Sequence, residues 1–157
     1  MKAERLNNPG IMKAKEGSFY IAVSAVIVNP AREILITRRS LQHNHRPGEW
    51  ELVTGRINKG ETDMITALKR EVKEEVGIEV DIIAPFRTFY FEHGGDKKPH
   101  FGVNFYCSYM GNQEIVLNMQ EQDGFQWVAP QIALGIIQDP SAKDAVLAYQ
   151  KFREHFS

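Results

Sequence analysis

A change of hydrophobic period divides this chain. Between positions 62 and 77 the apolar residues Ile65, Leu68, Val72 and Val76 step by 3, 4 and 4, the repeat of one helix face. On either side the apolar residues run together or alternate, as strands do. Residues 19–28 carry Tyr20, Ile21, Val23, Val26, Ile27 and Val28 and end at the turn signal Asn29-Pro30. Residues 33–37, 50–54, 78–83, 86–91 and 125–128 read as further strands. In 101–109, Phe101, Val103, Phe105, Cys107 and Tyr109 alternate with smaller or more polar residues, which predicts a core face. Residues 41–48 read as a loop, and 94–99 as the connection between two strands. Gly77 stands where a helix C-cap is expected. Residues 130–137 and 142–155 read as helices, the second with Val146, Tyr149, Phe152 and Phe156 on one stripe. The expected class is α/β (α+β), a mixed sheet between helices.

A chain of 157 residues has the length of one domain and can bury a core without staples. We expect residues 1–17 to be a polar tail or an extra strand, and 18–157 to be the single domain. The formal charge is −1, which argues against a general electrostatic grip on nucleic acid. Cys107 is the one cysteine, so neither an internal disulfide nor a paired-cysteine metal knuckle is available. No apolar run of about 18 residues predicts a membrane span, and positions 1–17 lack the apolar stretch of a signal peptide. The expected location is the cytoplasm.

The segment 55–78, GRINKGETDMITALKREVKEEVGI, carries the chemistry. Glu71, Glu74 and Glu75 fall at i, i+3 and i+4 and so share a helical face, read here as the one opposite the apolar stripe. Such a face is by default a solvated one, with Lys69 and Lys73 as ordinary charge balance. Two things weigh against the default. Like charges so spaced cost a helix roughly 0.2–0.5 kcal/mol per pair, and Mg²⁺ is commonly held by one or two carboxylates together with substrate phosphates. The glycine-bearing turn 55–60 also runs straight from a strand to Glu61 at the helix entrance.

The segment resembles the Nudix box of the MutT-like hydrolases, G-x5-E-x7-R-E-U-x-E-E-x-G-U, where U is aliphatic. Gly55, Glu61, Arg70, Glu71, Val72, Glu74, Glu75, Gly77 and Ile78 supply its fixed positions. Weaker likenesses extend the resemblance from about Phe19 onward. Two departures stand out. Eight residues separate Glu61 from Arg70, one more than the pattern, and an extra helical residue would turn the remainder of the helix by about 100°. We expect the excess in the loop, in the first turn or in a π-bulge, and it bears on the role of Glu61. Thr54 stands where many relatives have a glycine; a similar Val-Thr-Gly occurs in the branch resembling dihydroneopterin triphosphate pyrophosphatase.

The resemblance implies an α/β/α sandwich and an Mg²⁺-dependent pyrophosphohydrolase, with Mn²⁺ as an alternative ion. Its substrate class would be a nucleoside triphosphate or another nucleoside diphosphate linked to X. Water attacks phosphorus while divalent ions offset charge. Glu71, Glu74 and Glu75 are the implied metal ligands, with Glu61 and the Gly55 backbone as further donors and Arg70 holding the carboxylates in place. The base is Glu121, Glu74 or Glu75; Glu121 reads equally as a surface loop residue. Arg38, Arg39 and Arg46 are candidate phosphate contacts, and Arg38 and Arg39 should point to opposite strand faces. The resemblance also admits a homodimer, and no stable nucleic-acid or membrane partner is expected. Two alternatives remain: a non-enzymatic nucleotide-sensing or RNA-binding module on the same fold, and an isomerase of the isopentenyl diphosphate type. The second needs a cysteine near the site, whereas Cys107 reads as core. Residues 93–96 lie where family subgroups carry substrate markers and match none, which favours a nucleoside or pterin triphosphate.

Overall fold

The structure is a computed structural model that describes residues 17–92 and 97–156. Strand β1 (Tyr20–Val28) is followed by β2 (Ile34–Arg39), β3 (Trp50–Glu51) and β4 (Val53–Arg56). Helix α1 (Met64–Val76) leads to β5 (Asp81–Glu92), β6 (Pro99–Ser108) and β7 (Gln122–Val128), and the chain closes with α2 (Pro130–Ile136) and α3 (Pro140–Glu154). The strands form one seven-stranded mixed sheet with path β3-β2-β1-β6-β5; β4 also pairs β1, and β7 pairs β2.

β1 sits at the centre because its run is apolar on both faces, the pattern of a strand covered twice. Val23, Ala25 and Ile27 pack with Leu68, Val72 and Val76 of α1, together with Ile78, Phe105 and Cys107. Val26 and Val28 face the other way, into Ala133, Ile137, Ala145, Val146 and Tyr149 of the C-terminal helices and the residue after α2. The result is the expected sandwich of helices around a mixed sheet.

One edge of β1 is shared. At its far end Val28 pairs with Ile34 of β2; at its near end Ala22 to Ala25 pair with Arg56 back to Val53 of β4. β2 therefore leaves β1 and continues against β7. The strand expected at 50–54 divides for this reason: Trp50 and Glu51 pair with β2, Val53 onward with β1. Gly55 and Glu51 lie where the strands part.

Other expectations shift for identifiable reasons. The segments 78–83 and 86–91 join into β5, which runs beside β6 along its length with irregular register between Ile82 and Ala84 and between Pro85 and Arg87. Pro85 has no N–H to give a ladder. Ile78 and Val80 are buried, but outside any strand. Phe101 is exposed, so the core face of β6 holds at Phe105 and Cys107, and at Tyr109 just beyond it, but not at its start. Ile65 is exposed too; the buried face of α1 is Ala67, Leu68, Val72, Glu75 and Val76. Glu75 thus borders the apolar stripe instead of opposing it. α1 begins at Met64 because Asp63 caps it, accepting from the N–H groups of Ile65 (3.0 Å) and Thr66 (3.3 Å). Gly77, at φ 74°, ends it. α3 likewise starts earlier than expected, at Pro140, capped by Asp139. Phe156 is exposed beyond α3. The tail 1–16 and the substrate-marker stretch 93–96 lie outside the described residues.

Candidate active site

The site is built around Arg70. Its Nε and Nη2 donate to the two oxygens of Glu61 at 3.0 and 2.7 Å, and Nη2 also reaches the Arg56 carbonyl at 3.0 Å. Nη1 donates to Glu71 at 2.9 Å and to Glu74 at 3.1 Å. One guanidinium therefore serves three carboxylates, in the planar geometry that favours arginine over lysine. These ion pairs hold the Arg70 pKa up and the Glu61 pKa down. α1 runs as regular helix from the Asp63 cap, with no π-bulge ahead of Arg70. Glu61 stays beside the cluster despite the longer spacing, steadied by its own loop: Asn58 N–H donates to Glu61 Oε1 at 2.7 Å.

Gly55 lies directly against Glu71. A Cβ there would come within 2.0 Å of the Glu71 carboxyl carbon, so only glycine lets this carboxylate rest on the β4 backbone. Burial raises the Glu71 pKa in spite of Arg70. Glu75 is more deeply set. Burial, then the nearby charges of Glu51, Glu71 and Glu121, push its pKa well up. Gln122 donates to Glu75 Oε2 at 3.3 Å. Glu74 is largely exposed, its side chain 57% accessible.

Among the described residues no three acidic, histidine or cysteine side chains converge as a ready-made cage; Arg70 takes up their oxygens. The donor set nevertheless fits a hard divalent cation. It is all oxygen, rich in carboxylates, and contains two whose ionised form burial disfavours, so a cation would relieve a cost already present.

A recess of about 480 Å³ adjoins this cluster at Glu51, Gly55 and Arg56 and runs across the sheet to Ser24, Phe89, Phe91 and Ser141. Glu71, Glu74 and Glu75 do not line it. Arg39 and Arg46 do. Each is already engaged: Arg39 with the His45 carbonyl (2.8 Å) and Glu51 (3.3 Å), Arg46 with Glu49 (2.7 Å) and Asp139 (3.0 Å). Arg38 points to the other face, as alternation requires, and pairs with Asp123 at 2.6 Å. Glu121 does not line the recess; it is half exposed and 3.4 Å from His43. Phe89 and Phe91 line the recess with rings stacked 6.0 Å apart, and Phe101 lies outside it. Cys107 is core, its thiol pushed up to about 12 by burial, which removes it as a nucleophile.

Sequence reasoning missed Glu51 and Gln122. Glu51, Val53 and Gly55 alternate onto one face, so Glu51 could have been placed beside Gly55 by parity. Gln122 carried no such signal.

The NUDIX domain model matches residues 19–151, and the chain belongs to the Nudix family. It is 33% identical over 87 residues to an uncharacterized Nudix hydrolase of Listeria monocytogenes, covering 54% of this chain and 51% of that protein; the chain spans about half the length of the curated relatives it matches. A MutT protein from Methanosarcina mazei superposes with a TM-score of 0.75 at 26% identity, covering 89% of this chain and 99% of that one. The dihydroneopterin triphosphate pyrophosphohydrolase of E. coli superposes with a TM-score of 0.67 at 23% identity, covering 83% and 95%, a likeness of fold. No helix among the described residues is long and apolar enough to cross a membrane.

Proposed function

We propose that this chain is a pyrophosphohydrolase that depends on Mg²⁺, or on Mn²⁺ in its place. Its substrate is a nucleoside triphosphate or another nucleoside diphosphate linked to X, cleaved by attack of water at phosphorus. The observation that carries this reading is the gathering of Glu61, Glu71 and Glu74 around Arg70, with Glu71 seated on Gly55 and Glu75 buried alongside. Bound divalent ions would supply charge neutralisation and an activated water. Glu71, Glu74 and Glu75 are the residues that would hold them, with Glu61 and the Gly55 backbone as further donors.

The remaining work falls to the chain itself. Arg70 keeps three like charges within reach of one another and fixes their directions. Glu121, half exposed, is the candidate to take the proton of the attacking water. Of the three arginines, Arg39 and Arg46 border the recess and stand as the phosphate contacts; Arg38, on the opposite face and paired with Asp123, is withdrawn from that role. The partner is a small cytoplasmic nucleotide, not a nucleic acid or a membrane.

The test is release of phosphate or pyrophosphate from a panel of (d)NTPs, dihydroneopterin triphosphate, ADP-ribose and diadenosine polyphosphates. Each is run with Mg²⁺, with Mn²⁺ and with chelator, beside Glu75→Gln. Metal-dependent cleavage of one class, lost in the variant, is expected. Tight metal-independent binding without turnover would overturn the reading in favour of a sensing module.

A further inference from the structure

Gln122 opens β7 and is 2% exposed. Two features aim its side chain. First, the loop before it is fastened to the end of α1. Val116 N–H donates to the Val76 carbonyl and Asn118 N–H to the Glu75 carbonyl, both at 3.0 Å, and the N–H groups of Glu121 and Gln122 both donate to the Asn118 carbonyl at 2.9 Å. Second, β7 bulges. Arg38 pairs with Gly124 but Arg39 with Gln122, so Asp123 is the extra residue. Asp123 is held on the far side by Arg38 Nε at 2.6 Å and by the Leu41 N–H at 3.3 Å. A bulge re-aims the side chains beside it. Here it turns Gln122 under α1, where Nε2 donates to Glu75 Oε2.

Gln122 Oε1 accepts no hydrogen bond among the described residues. An amide turned the other way would set that oxygen against the Glu75 carboxylate, so the NH₂ end is fixed on it.

We propose that Gln122 is a positioning residue: its buried amide locks one oxygen of Glu75 and leaves the other to face a cation. The proposal rests on the reading of Glu75 as a metal ligand. Partners that orient ligating carboxylates typically matter about 10–100-fold in metal affinity or activity.

The experiment compares wild type, Glu75→Gln, Gln122→Met and Gln122→Asn. Met keeps the length and loses the donor; Asn keeps the amide and loses the reach. Free Mn²⁺ is monitored by electron paramagnetic resonance in substrate-free protein, and kcat and KM are measured by pyrophosphate release. Both Gln122 variants are expected to bind Mn²⁺ about tenfold more weakly, with kcat lowered and KM little changed. If Gln122→Met does not fold, Gln122→Asn decides. Folded variants that lose only thermal stability, while matching wild type in Mn²⁺ affinity and kcat, would overturn the proposal and leave the metal site standing. Wild type binding Mn²⁺ no better than Glu75→Gln would overturn both.

Discussion

A methyl group on Gly55 would meet the Glu71 carboxyl carbon at 2.0 Å, closer than any real contact, so one of the two must move. Glu71 is the freer, and its displacement breaks the bond to Arg70 as well. Gly55→Ala is therefore expected to lower metal-dependent turnover by about 10–100-fold, measured as pyrophosphate release at saturating Mg²⁺. Unchanged turnover would mean that Glu71 works elsewhere. Cys107 gives a second check at this scale. With its thiol pushed up to about 12 by burial, it should not react with a disulfide reagent at pH 8 until the protein is unfolded by denaturant. Prompt reaction in the native state would place it outside the core. Asp63 gives a pH dependence. Its hydrogen bonds at the head of α1 lower its pKa from 3.8. A carboxylate with a lowered folded pKa stabilises above its unfolded value, and that contribution disappears as pH falls through the folded one. Asp63→Ala should thus melt below wild type at pH 7, and the two curves should converge as the pH is taken below 3.8. A gap that persists in acid would assign the effect to something other than the charge.

At the scale of elements, α1 was legible because nearly everything that defines it is local. The stripe of Leu68, Val72 and Val76, the Gly77 cap and the glutamate spacing are all carried within a few turns of sequence. What escaped was set by partners far along the chain. Residues 50–54 divide between β2 and β1, residues 81–92 become one strand because β6 runs beside them, and Gln122 turns inward because β7 bulges against β2. Each of those pairings is made outside the segment's own residues. The same distinction predicts where the chain tolerates insertion. Thr62 lies in the loop ahead of the Asp63 cap, so one more alanine after it should leave Mn²⁺ binding within a few-fold. One alanine after Val72 turns Glu74 and Glu75 by about 100° from Glu71 and should abolish it. Equal effects of the two insertions would contradict the placement of the loop. Leu68→Ala, in the packed face of α1, is expected to cost about 2–5 kcal/mol in urea denaturation, whether or not metal is present.

For the whole molecule, a cation that binds only the folded state adds stability by mass action. At about 100 times its dissociation constant that amounts to roughly 2.7 kcal/mol. Wild type should melt higher with Mn²⁺ and return to its baseline with chelator, while Glu75→Gln should not respond. A response of equal size in the variant would locate the ion away from Glu75. The sheet that holds the site has a consequence in time as well. β1 and β6 pair in parallel, Tyr20 with His100 through Val28 with Ser108, every partner 80 residues away. During synthesis, at about 5–20 residues per second, the most apolar strand of the chain emerges roughly 4–16 s before its mate exists. In that interval β4, the earlier partner for its near end, and α1, which covers one face, must shield it. The Val53 to Ile78 segment would then serve the chain twice: as a cover for the nascent β1, and later as the frame that gathers Glu61, Glu71 and Glu74 around Arg70.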